Sequence, residues 1–225
     1  MKPQHFSNIT PARAVRTQTI AWTGALAALA LVLLVGPMIP RAWADEPMGV
    51  VKGTVNQALD VLRDKQSPLA QRQDQLRQIV AASFDFKEMA RSALGYHWRQ
   101  LSPAQQDEFT KTFVAFIEDS YLGKLNEFTT QQVEFVTTKS LGEGYAQVNT
   151  NIVKPGSSED PTKLNFLLEQ EGLSWKIYDV TVDAISIIAN YRNQFNRVMN
   201  NKGYDTLISD LKSKQAALAA SLGTH

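Results

Sequence analysis

The chain has 225 residues, no cysteine, and a net charge of +1 from 23 Lys or Arg and 22 Asp or Glu. The lack of cysteine excludes disulfide bonds, thiolate metal sites and cysteine nucleophiles. Residues 1–44 hold four basic residues and no acidic one; the remaining 19 basic and 22 acidic residues argue against non-specific nucleic-acid binding and against permanent adsorption to anionic membranes.

The N-terminal 44 residues have the layout of a secretory signal peptide. A basic start is followed by an apolar run over 20–35, and Ala42-Trp43-Ala44 places small residues where a signal peptidase reads. The run is shorter than the roughly 20 residues of a typical membrane span, and Gly36-Pro37 interrupts it. We therefore expect export with cleavage before Asp45, and an uncleaved N-terminal anchor is the alternative.

Helical periodicity predicts four helices before any strand. They are expected at 48–65, 68–82, 85–95 and 103–127. Asp85-x-x-Glu88 resembles a capping box, and Ser102-Pro103 is a start signal for the longest helix. One side of that helix carries phenylalanines and Tyr121. Such a stripe is normally core, and the alternative is the wall of a ligand cavity.

After the long helix the pattern alternates with a period of two residues. The alternating segments are 133–135, 146–152, 164–168 and 173–177. Turns at Gly142-Glu143-Gly144 and Glu171-Gly172 join neighbouring segments, which predicts an antiparallel meander with one apolar face. The long helix is the expected cover of that face.

From about Val182 the pattern is helical again as far as Gly203, and a last helix begins at Asp205. The Ala-rich tail over 213–225 is expected to fray. Helices, then strands, then helices indicate an α+β fold, with a single domain over 45–212.

Few residues offer catalytic or charged chemistry. His97 is expected at the surface beside a core Trp98, with an acid or a polar-rim residue as the alternative. Asp179 and Asp183 could act as acid and base, but a strand-end carboxylate and a helix cap are the preferred interpretation. Arg192 falls within the apolar stripe of the late helix, so it must pair with one of those carboxylates or contact an anionic headgroup.

Two series of motifs carry a family resemblance. The first is Phe84-Asp85-Phe86-x-x-Met89-Ala90-x-x-Ala93-Leu94-Gly95-x-x-Trp98, followed by Leu101-Ser102-Pro103-x-Gln105-Gln106 and Phe109. The second is Trp175-Lys176-Ile177-Tyr178-Asp179-Val180, followed by Ile185-Ser186 and Asn190-Tyr191-Arg192-x-x-Phe195. In this order they resemble the MlaC family, also called the toluene-tolerance family.

The resemblance implies a curved antiparallel or mixed sheet packed with helices that enclose an apolar cavity, similar to the nuclear-transport-factor-like cone. It implies a periplasmic, non-enzymatic protein that holds the acyl chains of a glycerophospholipid, with no cofactor and no metal. Such a protein shuttles lipid between an outer-membrane lipoprotein complex and an inner-membrane ABC transporter with MCE-domain proteins, which maintains outer-membrane lipid asymmetry. The alternatives are a hopanoid-associated carrier of the same family, a cone-fold enzyme that uses His97 or Asp179, and a structural envelope protein.

On the carrier hypothesis, apolar and aromatic positions of both motif series, the long helix and the strands contact the lipid. The residues expected to do so are Phe86, Met89, Trp98, Phe113, Phe116, Ile117, Tyr121, Val148, Phe166, Val182, Ile185, Ile188, Tyr191, Arg192 and Phe195. Ile185 is expected to point between the sheet and the long helix.

Overall fold

A computed structural model describes residues 46–125 and 129–222. Within these ranges, six α-helices, one 3-10 helix and five strands follow in chain order. They are α1 (Pro47–Arg63), α2 (Leu69–Ser83), α3 (Phe86–Leu94), the 3-10 helix (Gly95–Gln100), α4 (Pro103–Leu125), β1 (Gln132–Gly142), β2 (Tyr145–Val153), β3 (Thr162–Glu171), β4 (Ser174–Val182), β5 (Ile185–Ser186), α5 (Ile187–Lys202) and α6 (Tyr204–Leu222). The α+β class is confirmed. None of the described helices combines the length and apolarity needed to cross a bilayer, and the signal peptide and its cleavage site lie outside the described residues.

Side chains cap the helices where the sequence places its start signals. Asp85 accepts a hydrogen bond from the Glu88 N–H at 2.8 Å and caps α3. At the start of α4 the bonds are reciprocal, because the Gln105 N–H donates to the Ser102 hydroxyl and the Ser102 N–H donates to the Gln105 side chain. Gly95 ends α3 with φ 58° and ψ −126°, a backbone conformation that glycine alone adopts without strain.

The five strands form one antiparallel sheet in the order β1-β2-β3-β4-β5, so the predicted meander is confirmed. Val148 pairs with Phe166, and Leu168 pairs with Ile177, which places all four side chains on one face. These residues are buried, as expected for a sheet with a single apolar face.

The helix that covers this face is α1 and not α4, which corrects the expectation from the sequence. Val51 of α1 is fully buried against the sheet. Helix α4 instead packs on α3 and α6. The reason is the aromatic content of α4, because Phe109 and Phe113 pack edge-on against Phe195 of α5 and so form a core among the helices.

The buried apolar residues therefore form two main clusters. The helical cluster consists of Met89, Ala90, Ala93, Leu94, Trp98, Phe109, Phe113, Phe116, Ile117, Ile188, Phe195, Leu207, Ile208 and Leu211. The sheet cluster consists of Val51, Val148, Phe166, Leu168 and Ile177. Phe84, between α2 and α3, packs against both clusters. It thus joins the helices to the sheet.

Two boundaries differ from the sequence expectation. The helical pattern expected from Val182 is preceded by a tight turn and the short strand β5, so α5 begins only at Ile187. The last helix continues past Lys212 to Leu222, where the sequence predicted a frayed tail. Its second half is held to α4, since Gln215 donates to Asp119 at 2.7 Å and Leu218 packs on the helical cluster.

Candidate functional site

The residues expected to contact lipid fall into three groups in the structure. Buried in the helical cluster are Met89, Trp98, Phe113, Phe116, Ile117, Ile188 and Phe195. Packed against that cluster and partly buried are Phe86, Tyr121 and Tyr191. Val148 and Phe166 lie in the sheet cluster. Val182, Ile185 and Arg192 belong to neither cluster, so the structure does not bring the whole set to one cavity wall.

The aromatic stripe of α4 packs mainly on α5. Phe113 and Phe116 contact the ring of Tyr191 edge-on, with centroids 5.8 and 5.6 Å apart. Burial, followed by the charge and the hydroxyl of Tyr121, raises the pKa of Tyr191 above its ordinary range. The stripe is thus the core of the helical layer in this structure, and Tyr191 remains a neutral phenol there.

A row of side chains crosses the sheet near the end of β4. Phe135, Thr150, Leu164, Val182 and Ile185 are paired one to the next from β1 to β5. Thr150 is buried, Val182 is 37% exposed and Ile185 is 68% exposed. The row therefore starts under α1 and reaches solvent at the β4–β5 turn.

The expectation that Ile185 points between the sheet and the long helix is wrong. Helix α4 does not lie over the sheet, and the turn before Ile185 holds Asp183 and Ala184 at φ 48° and 68°. This left-handed two-residue turn folds β5 back along β4, so that Ile185 lies opposite Val182 at the open margin.

Arg192 pairs with neither of the two carboxylates considered for it. Its Nε donates to the carbonyl oxygen of Ser92 on α3. Its aliphatic stem lies beside Gly95, where a Cβ atom would meet the Arg192 Cδ at 3.5 Å. Arg192 thus ties α5 to the end of α3 with a charge-assisted hydrogen bond.

His97 is buried, which corrects the expected surface position. Its neighbour Tyr96 is exposed, and the two rings lie 3.8 Å apart between centroids. The His97 Nε2 has no hydrogen-bond partner among the described residues. The buried Trp98 lies beside it, as expected.

The carboxylates of Asp179 and Asp183 have separate structural roles. Asp179 is buried and accepts bonds from the Val180 N–H at 2.8 Å, the Ile188 N–H at 3.2 Å and the Ser186 hydroxyl. It thereby supports the start of α5, whose cap is Ser186. Asp183 is not the helix cap; it accepts from the Lys163 N–H within the turn. Asp179 thus has a structural role, as the preferred interpretation expects, but it lies within β4 and not at its end.

Two pockets in the described part of the chain lie away from these residues. One, of about 380 Å³, lies between α1, α2 and the start of β4 and includes Thr54 and Lys176. The other, of about 300 Å³, lies by the β1–β2 hairpin and Trp175. None of the residues expected to contact lipid lines either pocket, because most of them pack within the two clusters and Val182 and Ile185 lie at the exposed β4–β5 margin.

A carboxylate cluster that the sequence analysis missed lies at the junction of helices and sheet. Oxygen atoms of Asp85, Glu169 and Glu171 all lie within 4.8 Å of one another. Burial and the neighbouring charges of Glu88 and Asp85 raise the pKa of Glu169 to about 7. The i, i+2 spacing of the two glutamates places them on one face of β3, but no local signal links them to Asp85.

Comparison with known proteins agrees with this architecture. A family model described as MlaC protein matches residues 52–213. The chain is 24% identical over 173 residues to the intermembrane phospholipid transport system binding protein MlaC of Haemophilus influenzae, covering 74% of this chain and 80% of that protein. It is 26% identical over 181 residues to the toluene tolerance protein ttg2D of Pseudomonas putida, covering 78% and 83%.

A solved structure shares the fold. It is a phospholipid-binding protein of Ralstonia solanacearum in complex with a phospholipid, with a TM-score of 0.69 and 23% identity. The match covers 77% of this chain and 99% of the other. The motif order, the helix and strand order and the family match over most of the described residues agree, and the chain belongs to the MlaC family.

Proposed function

We propose that this protein is a periplasmic carrier that binds a phospholipid by its acyl chains and takes it from one membrane to another. The observation that carries the proposal is the row of side chains that starts under α1 and reaches solvent at Val182 and Ile185, in which Thr150 is the one polar member. It occurs in a chain whose relatives are named for phospholipid transport or binding.

The physical demand on such a carrier is a large apolar surface. Each methylene withdrawn from water contributes about 0.8 kcal/mol, so two ordinary tails hold on the order of 20 kcal/mol of transfer free energy. A lipid therefore leaves a membrane slowly unless a protein offers comparable apolar contact. The helical and sheet clusters together supply this surface and require no catalytic group.

The tails would enter at the β4–β5 margin and lie between the two clusters. Among residues 46–125 and 129–222, Phe84 is the only partly buried apolar residue that packs against both clusters. Lipid uptake then requires the clusters to separate while Phe84 and its neighbours keep them joined. Headgroup selectivity is expected to be weak, because most residues assigned to the site are apolar.

The transport partners follow from the family. We infer that the carrier receives and delivers lipid at an outer-membrane lipoprotein complex and at an inner-membrane ABC transporter with MCE-domain proteins, which maintains outer-membrane lipid asymmetry. The name of the Haemophilus influenzae relative, a binding protein of a transport system, supports the existence of such partners.

Lipid extraction from protein secreted into the periplasm tests the carrier hypothesis. Native mass spectrometry should find one phospholipid mass on each chain, and the extracted headgroups should mirror the host membrane. The same spectrum should give a chain that begins at Asp45. An empty chain contradicts the carrier hypothesis, a hopanoid cargo favours the sister branch, and enrichment of one headgroup contradicts weak selectivity.

Substitution of Ile185 tests where the lipid enters. Ile185→Glu should reduce lipid loading about tenfold or more without unfolding the protein, because the side chain is exposed when empty and a charge among acyl chains costs several kcal/mol. Leu173→Glu is the matched control, since Leu173 is 71% exposed at the opposite end of β4. Equal loading of the two variants would place the lipid elsewhere.

A further inference from the structure

Two consecutive residues form one of the links between the helical layer and the sheet, and Asp179 of β4, which bonds the start of α5, forms another. Phe84 forms a parallel bridge with Ile177 of β4, and the Asp85 N–H donates to the Ile177 carbonyl at 2.9 Å. Asp85 is also the cap of α3. A movement of α3 away from the sheet must therefore break contacts of Phe84 or Asp85.

The carboxylate cluster lies at this junction. The Asp85 side chain comes from the helical layer, whereas Glu169 and Glu171 come from β3, and oxygens of the three carboxyl groups lie within 4.8 Å of one another. Burial and Asp85 raise the pKa of Glu169, and hydrogen bonding with Asp85 is the main cause that raises the pKa of Glu171. Two carboxylates can be hydrogen-bonded to each other only when one is protonated, because a carboxylate has no donor. A proton shared across the cluster thus bonds α3 to the sheet.

Few cations oppose the negative charge of the cluster. From α3, Glu88 adds another negative charge, and Arg91 is bonded to Glu88 and also interacts electrostatically with Glu169. From β4, Lys176 is paired with Glu169 in the strand register and acts on Glu171, although its Nζ donates to the Ala82 carbonyl.

Two tyrosines also face the cluster. Tyr178 on β4 interacts electrostatically with Glu169, and its pKa is raised mainly by burial. Tyr145 on β2 is paired with Glu169 in the strand register. Neither phenol supplies a positive charge, so loss of the shared proton leaves several carboxylates of like charge close together.

We propose that the carboxylate cluster is a proton-dependent clamp, which holds α3 to the sheet when it shares a proton and loosens the junction when the proton is lost. The clamp itself does not depend on the proposed carrier function. Its expected consequence, faster lipid exchange in alkaline solution, does rest on that function. Like charges at these distances repel, and repulsion between Asp85 of the helical layer and Glu169 of the sheet weakens the junction. The pKa of Glu169, at about 7, places the transition near neutral pH.

The amide of Asp85 is a direct reporter of the clamp. Its hydrogen-exchange protection, measured by NMR and corrected for the intrinsic pH dependence, should fall about tenfold between about pH 5.5 and pH 8.5, the factor that one pKa unit of coupling allows. Glu169→Gln should keep high protection at both pH values, because its amide donates to Asp85 without titrating. Glu134→Gln, at an exposed position of β1, should behave as the parent.

A second measurement connects the clamp to lipid. The exchange rate of a fluorescent phospholipid from the loaded protein to vesicles of neutral phosphatidylcholine should rise by a similar factor in the parent and remain constant in Glu169→Gln. Equal pH dependence of the Asp85 amide in the parent and in Glu169→Gln overturns the clamp. A pH-dependent amide with pH-independent exchange overturns its role in lipid release. A protein that never holds lipid contradicts the carrier function, whereas the amide measurement still decides the clamp.

Discussion

At the scale of single residues, buried polar side chains hold the elements in place. Asp179 is the clearest case, since its two oxygens accept three hydrogen bonds at the point where β4 gives way to α5. No basic side chain within 46–125 and 129–222 forms an ion pair with it, so backbone N–H groups and a hydroxyl stabilise the buried side chain. Arg192 has a similar role on the other side of α5, where it bonds the last turn of α3.

Asp179→Ala should lower the free energy of unfolding by about 2–4 kcal/mol, because it leaves the donors of Val180 and Ile188 unsatisfied in a buried place. Asp179→Asn keeps an acceptor and should cost less. Urea unfolding followed by circular dichroism measures both. The control is Asp160→Ala in an exposed loop, which should change stability by less than about 0.5 kcal/mol. Equal midpoints for the Asp179 and Asp160 variants would contradict a structural role for Asp179.

At the scale of elements, α6 shows how packing extends a helix beyond its sequence signals. The tail after Lys212 is rich in Ala and small polar residues, which favour a helix but give no apolar stripe. Contacts with α4 supply the missing stabilisation, because Leu218 packs on the helical cluster and Gln215 donates to the buried Asp119. Asp119 also accepts from Arg77 of α2 at 3.3 Å, so three helices meet at this carboxylate.

A chain that ends at Lys212 should therefore lose roughly 2–4 kcal/mol of stability, from the exposed apolar surface and the lost partner of Asp119. The matched control ends at Leu222 and should unfold like the parent. Thermal and urea denaturation give the comparison. If both truncated chains match the parent, the tail is frayed in solution and the contacts of Gln215 and Leu218 contribute nothing.

At the scale of the whole molecule, the described residues form a helical layer and a covered sheet, joined at Phe84 and Asp85 and also where Asp179 bonds the start of α5. Each layer has its own apolar cluster, which suits a carrier whose cargo separates them. Proton binding by Glu169 is coupled to the contact between the two layers, because burial and the charges of Glu88 and Asp85 at this contact raise its pKa. The pH dependence of folding therefore reports on the junction.

The free energy of unfolding should decrease as the pH rises from about 4.5 to about 7. The pKa of Glu169 is raised on folding, so the folded state binds more protons than the unfolded chain within this window. The stabilisation is complete below the ordinary glutamate pKa and is lost above the raised one. Glu169→Gln should flatten this slope in urea titrations across the window, and Glu134→Gln should not. An unchanged slope in Glu169→Gln would assign the pH dependence to other groups, such as Glu118, whose pKa burial also raises.

The sequence by itself determined the features of the fold that depend on residues close together in the chain. Capping residues such as Ser102, the period of the apolar positions and the glycine turns predicted the order of the elements and the antiparallel meander, because these signals act within a few residues. The order of helices and strands predicted the α+β class, and the family motifs added the expectation of a curved sheet packed with helices. Only the tertiary structure decided that α1 covers the sheet, because any amphipathic helix can cover an apolar sheet face. Helix α4 does not cover it, since its aromatic side chains pack against those of α5.

The candidate site divides in the same way. Periodicity predicted that the stripe of α4 and strand residues such as Val148 lie on apolar faces. It did not predict which of them would pack in the helical cluster and which in the sheet cluster. The exposed position of Ile185 depends on a left-handed turn at Asp183 and Ala184. The sequence does not predict this turn, because neither residue is a glycine. The carboxylate cluster joins Asp85 to Glu169 across the fold, and only the packing of α3 on the sheet brings groups so distant in sequence within reach of one shared proton.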